Sequence, residues 1–131
     1  MSSLANVPNF LFYFVSSLIL LGAFLTVYTK LAPIAEWKLI RDGNRAVALA
    51  LGAATLGFAI PLATAIVRTG SFSEMVVWSV ISAIVQLGCF VGLRLLRRDA
   101  AAALAAGDMA EAIIVAFASV TLGLLNAACL A

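Results

Sequence analysis

Ionisable side chains are confined to the edges of four long apolar stretches, and that pattern fixes the solvent before it fixes the fold. The stretches run from about Phe10 to Thr29, Ala46 to Val67, Met75 to Leu93 and Ala110 to Ala131, and the one ionised side chain inside them is Glu111, at the entrance of the fourth. Crossing roughly 30 Å of hydrocarbon takes about 20 helical residues, so each stretch is long enough to span. Backbone polar groups in lipid must be satisfied within the protein, which leaves helices or a closed barrel, and the two-residue alternation of barrel strands is absent. The chain of 131 residues is 65% hydrophobic and 11% charged. A soluble domain carries about half and a quarter, and one this small has too little core to hide the excess. The expected fold class is an all-α membrane protein with four transmembrane helices in a single domain covering residues 1–131.

Composition also removes several kinds of chemistry. There is no histidine, which excludes His-based triads and His-ligated metals, and two cysteines are too few for a four-thiolate zinc site. A net charge of +2 without a basic stripe does not suit nucleic acid. No catalytic, cofactor-binding or metal-binding residue is expected, and the chain is read as not being an enzyme.

Charge placement sets the expected orientation. Lys30, Lys38, Arg41 and Arg45 lie between the first and second stretches, and Arg94, Arg97 and Arg98 between the third and fourth. Only Arg68 lies in the short connection between the second and third, so seven of the eight basic residues share one side. The positive-inside rule makes that side cytoplasmic and places both termini outside, in the periplasm of a bacterial inner membrane. Met1 to Asn9 carries no Lys or Arg, so the first stretch reads as a retained helix rather than a signal peptide.

The two halves, about 10–67 and 75–131, resemble each other. Asp42-Gly43-Asn44 precedes the second stretch as Ala106-Gly107-Asp108 precedes the fourth, and Thr55-Leu56-Gly57 is echoed by Thr121-Leu122-Gly123. Each Gly is placed to end a helix in the left-handed conformation, with Asn44 and Asp108 as N-caps of the next helix. An aspartate at position 44 is expected to cap as well as asparagine. A repeat of two helices begins and ends on one side, so the copies are expected to be parallel.

The segment Glu36-Trp37-Lys38-Leu39-Ile40-Arg41-Asp42-Gly43-Asn44-Arg45-Ala46-Val47-Ala48, with Gly52, Gly57, Gln86 and Gly123-Leu124-Leu125-Asn126-Ala127, resembles the bacterial YjfL-like membrane family, a family of unknown function. Val47 interrupts the alanine run usual there. The resemblance implies an inner-membrane protein of four helices in duplicated pairs, often encoded beside polyamine-linked ligases and stress-related membrane proteins. It implies no activity.

Several residues are candidates for function or for its scaffold. From Leu31 to Asp42 the chain is too short and charged to span. Ile34, Trp37 and Ile40 or Arg41 recur at helical spacing opposite Glu36, Lys38 and Asp42, which predicts an amphipathic helix along the interface, with a Lys38–Asp42 pair. Its plainer role is an anchor; its functional role is a docking cuff for a soluble cytoplasmic partner. The basic residues are expected to form a rim for anionic lipid headgroups, with the third helix continuing through Arg94, Arg97 and Arg98 to about Ala106. Ser79, Ser82 and Gln86 share one helical face near mid-membrane, and counting rise brings Thr55, Ser119 and Thr121 to a similar depth as one polar layer. Pro61 should kink the second helix and free the carbonyl of Gly57, for which the Asn126 amide is a candidate donor. Small-residue spacings predict central packing of the second helix on the fourth, and place Gly88 and Gly92 opposite Gln86 on a face suited to a second copy.

Two functions of different class follow. The first is a homo-oligomeric scaffold or partner-binding membrane subunit; the alternative is a component of a small ion or polar-solute channel using the Gln86 layer.

Overall fold

The four apolar stretches fold as four long helices joined in two places by short helical elbows. A computed structural model describes residues 2–130, with side chains from residue 4, so Ala131 at the end of the fourth stretch lies outside the described residues. Its elements are α1 (Ser2–Ala5), α2 (Val7–Leu31), α3 (Glu36–Arg41), α4 (Arg45–Arg68), α5 (Phe72–Leu96), α6 (Ala100–Ala105) and α7 (Met109–Leu130). The described residues contain no strand. The long helices α2, α4, α5 and α7, of 25, 24, 25 and 22 residues, are each long and apolar enough to cross a membrane.

Local chemistry sets the boundaries. Pro8 sits in the first turn of α2, where its missing N–H costs no hydrogen bond. Asn44 Oδ1 accepts from Val47 N at 3.0 Å to start α4, and Ser71 Oγ accepts from Glu74 N at 3.3 Å to start α5. Asp108 Oδ1 accepts from Glu111 N at 3.2 Å at the head of α7. Gly43 and Gly107 have φ of 93° and 86°, a conformation that glycine adopts without steric cost. Around each, paired backbone bonds close the preceding short helix: Gly43 N to Ile40 O and Asn44 N to Leu39 O, then Gly107 N to Leu104 O and Asp108 N to Ala103 O. Each half of the chain thus runs long helix, short helix, glycine, cap, long helix.

The third long helix stops sooner than its charge run suggests. It ends at Leu96, Arg97 leaves helical geometry (φ −125°, ψ 70°), and α6 turns back so that Ala100 and Leu104 are buried. The ion pair of Arg97 with Glu111 at the start of α7 accompanies this break.

Helix α4 is the centre of the bundle, packing along α7 and touching α2, α3 and α5. Its crossing with α7 is set at Gly57 and Gly123. The backbone of Gly57 fills the place a side chain at 123 would occupy, and a side chain at 57 would meet the backbone of Ser119. Helix α2 is the least embedded of the four. It joins through Phe24, stacked 4.5 Å from Phe58, and Tyr28, edge-on to Phe90 at 5.1 Å. At its other end Phe12 and Tyr13 hold Phe72. Phe10, Phe14, Leu18 and Ile19 are exposed, as suits a helix solvated by lipid.

Candidate functional site

Two polar features sit inside this bundle, one at mid-membrane and one at the end that carries the basic residues. At mid-membrane, Gln86 on α5 is fully buried. Its Nε2 donates to Ser119 O at 3.2 Å, and its Oε1 accepts from Asn126 Nδ2 at 3.1 Å. The same Asn126 amide donates to Ser82 O at 3.0 Å, so α7 is tied to α5 by one side chain at two points. Ser79, Ser82 and Ser119 are buried on the facing surfaces.

Three sequence expectations change here. Thr121 is exposed, and the Thr55 hydroxyl donates to Leu51 O of its own helix at 2.9 Å, so neither joins the Gln86 layer. For Thr121 the azimuth is the reason: it lies two residues from the buried Ser119 and Gly123, nearly opposite them around α7. Asn126 bonds to α5 and not to the Gly57 carbonyl that Pro61 leaves without its helical donor. That carbonyl is instead pressed against the Gly123 backbone, and α4 continues through the buried Pro61 without interruption.

At the basic end, α3 packs on α4, and α6 packs on α4 and α7. Asn44 Nδ2 donates to Leu104 O at 3.0 Å and Ala105 O at 3.1 Å, so one side chain starts α4 and closes α6. Gly43 is the hinge point beside it, while Arg41 and Asp42 are exposed, and Lys38 and Asp42 make no ion pair. Nothing brings Arg41 or Asp42 toward the interior.

Glu36 behaves differently. The amphipathic reading put it on the polar outer face, but it is 4% exposed, whereas Trp37 is 53% exposed. Helix α3 begins only at Glu36, and Ile34, Leu39 and Ile40 pack against Ala46 and Val47, which rolls Glu36 inward and Trp37 outward. Glu36 lines a cavity of about 200 Å³ bounded by Tyr28 of α2, Phe90 and Arg94 of α5, Leu104 of α6 and Val115 of α7. The Arg94 guanidinium lies over the Tyr28 ring, 5.2 Å from its centroid. Glu36 Oε1 is buried without a hydrogen-bond partner. Burial pushes the Glu36 carboxyl up to about 7, with the nearby positive charge of Arg94 opposing the rise only in part. A carboxyl, a guanidinium and a phenol therefore share a largely apolar chamber at the end of the spans.

Sequence reasoning missed Tyr28 as a partner for Arg94, because the pair is brought together only by packing of α2 on α5. It did hold one signal for Glu36: Leu39 and Ile40, three and four positions on, share its helical face. Among the described residues, no group of three His, Cys, Asp or Glu side chains is arranged to hold a metal. Cys89 and Cys129 are free.

Comparison with known proteins bears on the whole chain. Residues 1–130 match the model of the family described as Domain of Unknown Function (DUF350). The chain is 31% identical over 118 residues, 90% of this chain and 89% of the relative, to the UPF0719 inner membrane protein YjfL of Escherichia coli (strain K12). The protein of the same name from Escherichia coli O157:H7 matches equally. No solved structure matches the chain. With four membrane-length helices and a family match that runs from end to end, the chain belongs to the DUF350 family.

Proposed function

We propose that the protein is a non-enzymatic inner-membrane subunit that works as a homo-oligomeric scaffold and presents its basic end to a cytoplasmic partner. The inner-membrane placement rests on similarity to the inner membrane protein YjfL of Escherichia coli. The orientation, with both termini outside, rests on the seven basic residues gathered at the α3 and α6 end. Exposed Lys38, Arg41, Arg45 and Arg98 are available there for anionic headgroups or an acidic partner surface.

The observation that carries the scaffold reading is the contrast between two glycine pairs. Gly57 and Gly123 are used within the chain for the closest helix crossing, whereas a side chain added at Gly88 or Gly92 would meet nothing within 4 Å. This second pair lies on the α5 surface away from Gln86, and small residues on such a surface let a second helix approach closely in lipid. The channel alternative draws less support, because both ends of the buried Gln86 amide are bonded to α7.

Disulfide cross-linking in native membranes tests the scaffold. In a Cys89→Ala, Cys129→Ala background, Gly88→Cys should form covalent dimers and Ser82→Cys, which faces the interior, should not. Absence of the Gly88→Cys dimer, together with a monomer by native mass spectrometry in mild detergent, overturns the reading.

A further inference from the structure

The chamber at the basic end contains opposite charges that do not neutralise each other. Glu36 and Arg94 both line it, yet among the described residues the ion pair found is that of Arg97 with Glu111. A buried carboxylate with a bare oxygen is unfavourable unless something donates to it. Glu36 Oε1 is such an oxygen, in a residue only 4% exposed. The Arg94 guanidinium carbon lies 5.2 Å from the centroid of the Tyr28 ring, and with five N–H donors and no carboxylate partner among the described residues Arg94 has donors to offer a further acceptor.

We propose that this chamber binds an ammonium–phosphate zwitterion, the headgroup chemistry of phosphoethanolamine, with the ammonium on Glu36 and the phosphate on Arg94. A simple anion would meet the Glu36 carboxylate, and a simple cation would meet Arg94 with Arg97 at the rim. A zwitterion satisfies both signs at once. The volume of about 200 Å³ is below the range typical of drug-sized ligands, and suits a headgroup rather than a whole lipid. The remaining walls, including Phe90, Leu93 and Ile114, are apolar, and Ile114 is 54% exposed on the outside of α7. An acyl chain attached to the headgroup can therefore leave past Ile114 along the lipid-facing surface, which favours a membrane lipid over a free solute as the source. The site lies within one chain and is independent of the scaffold reading; it is present in a monomer.

The test is lipid retention. Purified protein is equilibrated with vesicles containing equal parts of phosphatidylethanolamine, phosphatidylcholine and phosphatidylglycerol, and the lipid it keeps is counted by native mass spectrometry. The primary ammonium donates N–H to Glu36, the choline headgroup has no N–H, and the glycerol headgroup has no positive charge. Phosphatidylethanolamine should be enriched about tenfold over either, the size of one charge-assisted hydrogen bond. Glu36→Gln keeps the shape and should abolish the enrichment, while Asp42→Asn on the exposed side of the same elbow should not. A second arm measures thermal stabilisation by free O-phosphoethanolamine. Stabilisation there without lipid enrichment keeps the chemistry and assigns the source to a soluble molecule. Equal retention of the three lipids by the unmodified protein with no response to free phosphoethanolamine overturns the proposal, as does enrichment that Glu36→Gln leaves intact.

Discussion

The side-chain amide of Asn44 donates to the backbone carbonyl of Leu104, sixty positions along the chain, at 3.0 Å. Its carbonyl oxygen at the same time caps α4 through Val47 N. One asparagine thus uses its acceptor on its own half of the molecule and its donor on the other half. The corresponding residue in the second half, Asp108, has an acceptor for Glu111 N but no amide to donate back. The two elbows are alike in backbone and unlike in this bond, so the link between halves runs through Asn44 alone of the two caps.

That geometry changes what substitution at 44 should do. Read as a cap alone, Asn44→Asp is harmless. With two carbonyls facing the amide, a carboxylate keeps the Val47 bond but sets its negative charge against Leu104 O and Ala105 O. Asn44→Ala loses both the cap and the cross-link and should cost about 2–3 kcal/mol, whereas Asn44→Asp keeps the cap, loses the cross-link and should cost about 1–2 kcal/mol. Thermal unfolding of both in one detergent checks this; an Asn44→Asp variant as stable as the original chain contradicts the cross-link.

The glycine crossing gives a sharper contrast. Gly123→Ala forces a methyl into the space held by the Gly57 backbone, and Gly57→Ala forces one onto Ser119 O, so both should destabilise by about 1–3 kcal/mol as α4 and α7 are driven apart. Gly92→Ala meets nothing within 4 Å and should leave the stability of a single chain unchanged or slightly raised by helix propensity. The same unfolding assay compares all three.

Which parts were legible in the sequence follows from range. The four spans, the left-handed Gly43 and Gly107 and the caps Asn44 and Asp108 depend on runs of a few to about 20 residues, and the chain states them directly. The buried face Ser79–Ser82–Gln86 was legible too, because helical period and the cost of an unpaired amide in lipid point the same way. Thr121 was misplaced because rise without azimuth gives depth only. Glu36 was misplaced because six residues of helix carry too little periodicity to choose a face, and packing of Ile34, Leu39 and Ile40 on α4 chose it instead. The Asn44–Leu104 and Tyr28–Arg94 contacts join positions that only the folded bundle makes neighbours.

The Gln86 layer makes a prediction about transport. Gln86→Leu removes the acceptor for one Asn126 N–H and the donor to Ser119 O, while Asn126 keeps Ser82 O. The cost should be about 0.6–1.5 kcal/mol, the usual size of hydrogen bonds between membrane helices. Ion or solute flux in liposomes should be absent for both the original chain and the variant. Flux that Gln86→Leu abolishes establishes the channel reading in place of the scaffold.

Orientation is checked by labelling in intact cells. Gly70 is the better site on the short connection, because Ser71 caps α5 and its loss would weaken the helix start. In a background without the native cysteines, Gly70→Cys should react with an impermeant thiol reagent from outside. Ala102→Cys, exposed on α6, should react only after the cells are opened. The reverse pattern inverts the topology and leaves the fold untouched.

The Glu36 carboxyl makes stability depend on pH in a direction opposite to that of an ordinary salt-bridged acid. Burial raises its folded-state pKa to about 7, above the usual value of 4.5, so the folded chain holds a proton that the unfolded chain releases. The stabilisation is fully present below about pH 4.5, is lost as pH rises through 7, and stays lost above it. The other charged or ionisable groups facing the chamber are Arg94, Arg97 and the Tyr28 phenol. Glu36→Gln has nothing to release. In lipid-free detergent it should match the original chain at pH 4 and exceed it at pH 8 by about 1–2 kcal/mol, allowing for water that reaches the chamber. Adding phosphatidylethanolamine should shrink this gap, because an ammonium on Glu36 favours the carboxylate and removes the reason for holding the proton. Unfolding temperatures at pH 4, 6 and 8, with and without the lipid, measure both effects; a gap that is the same at pH 4 and pH 8 shows that the Glu36 carboxyl does not titrate in the folded protein.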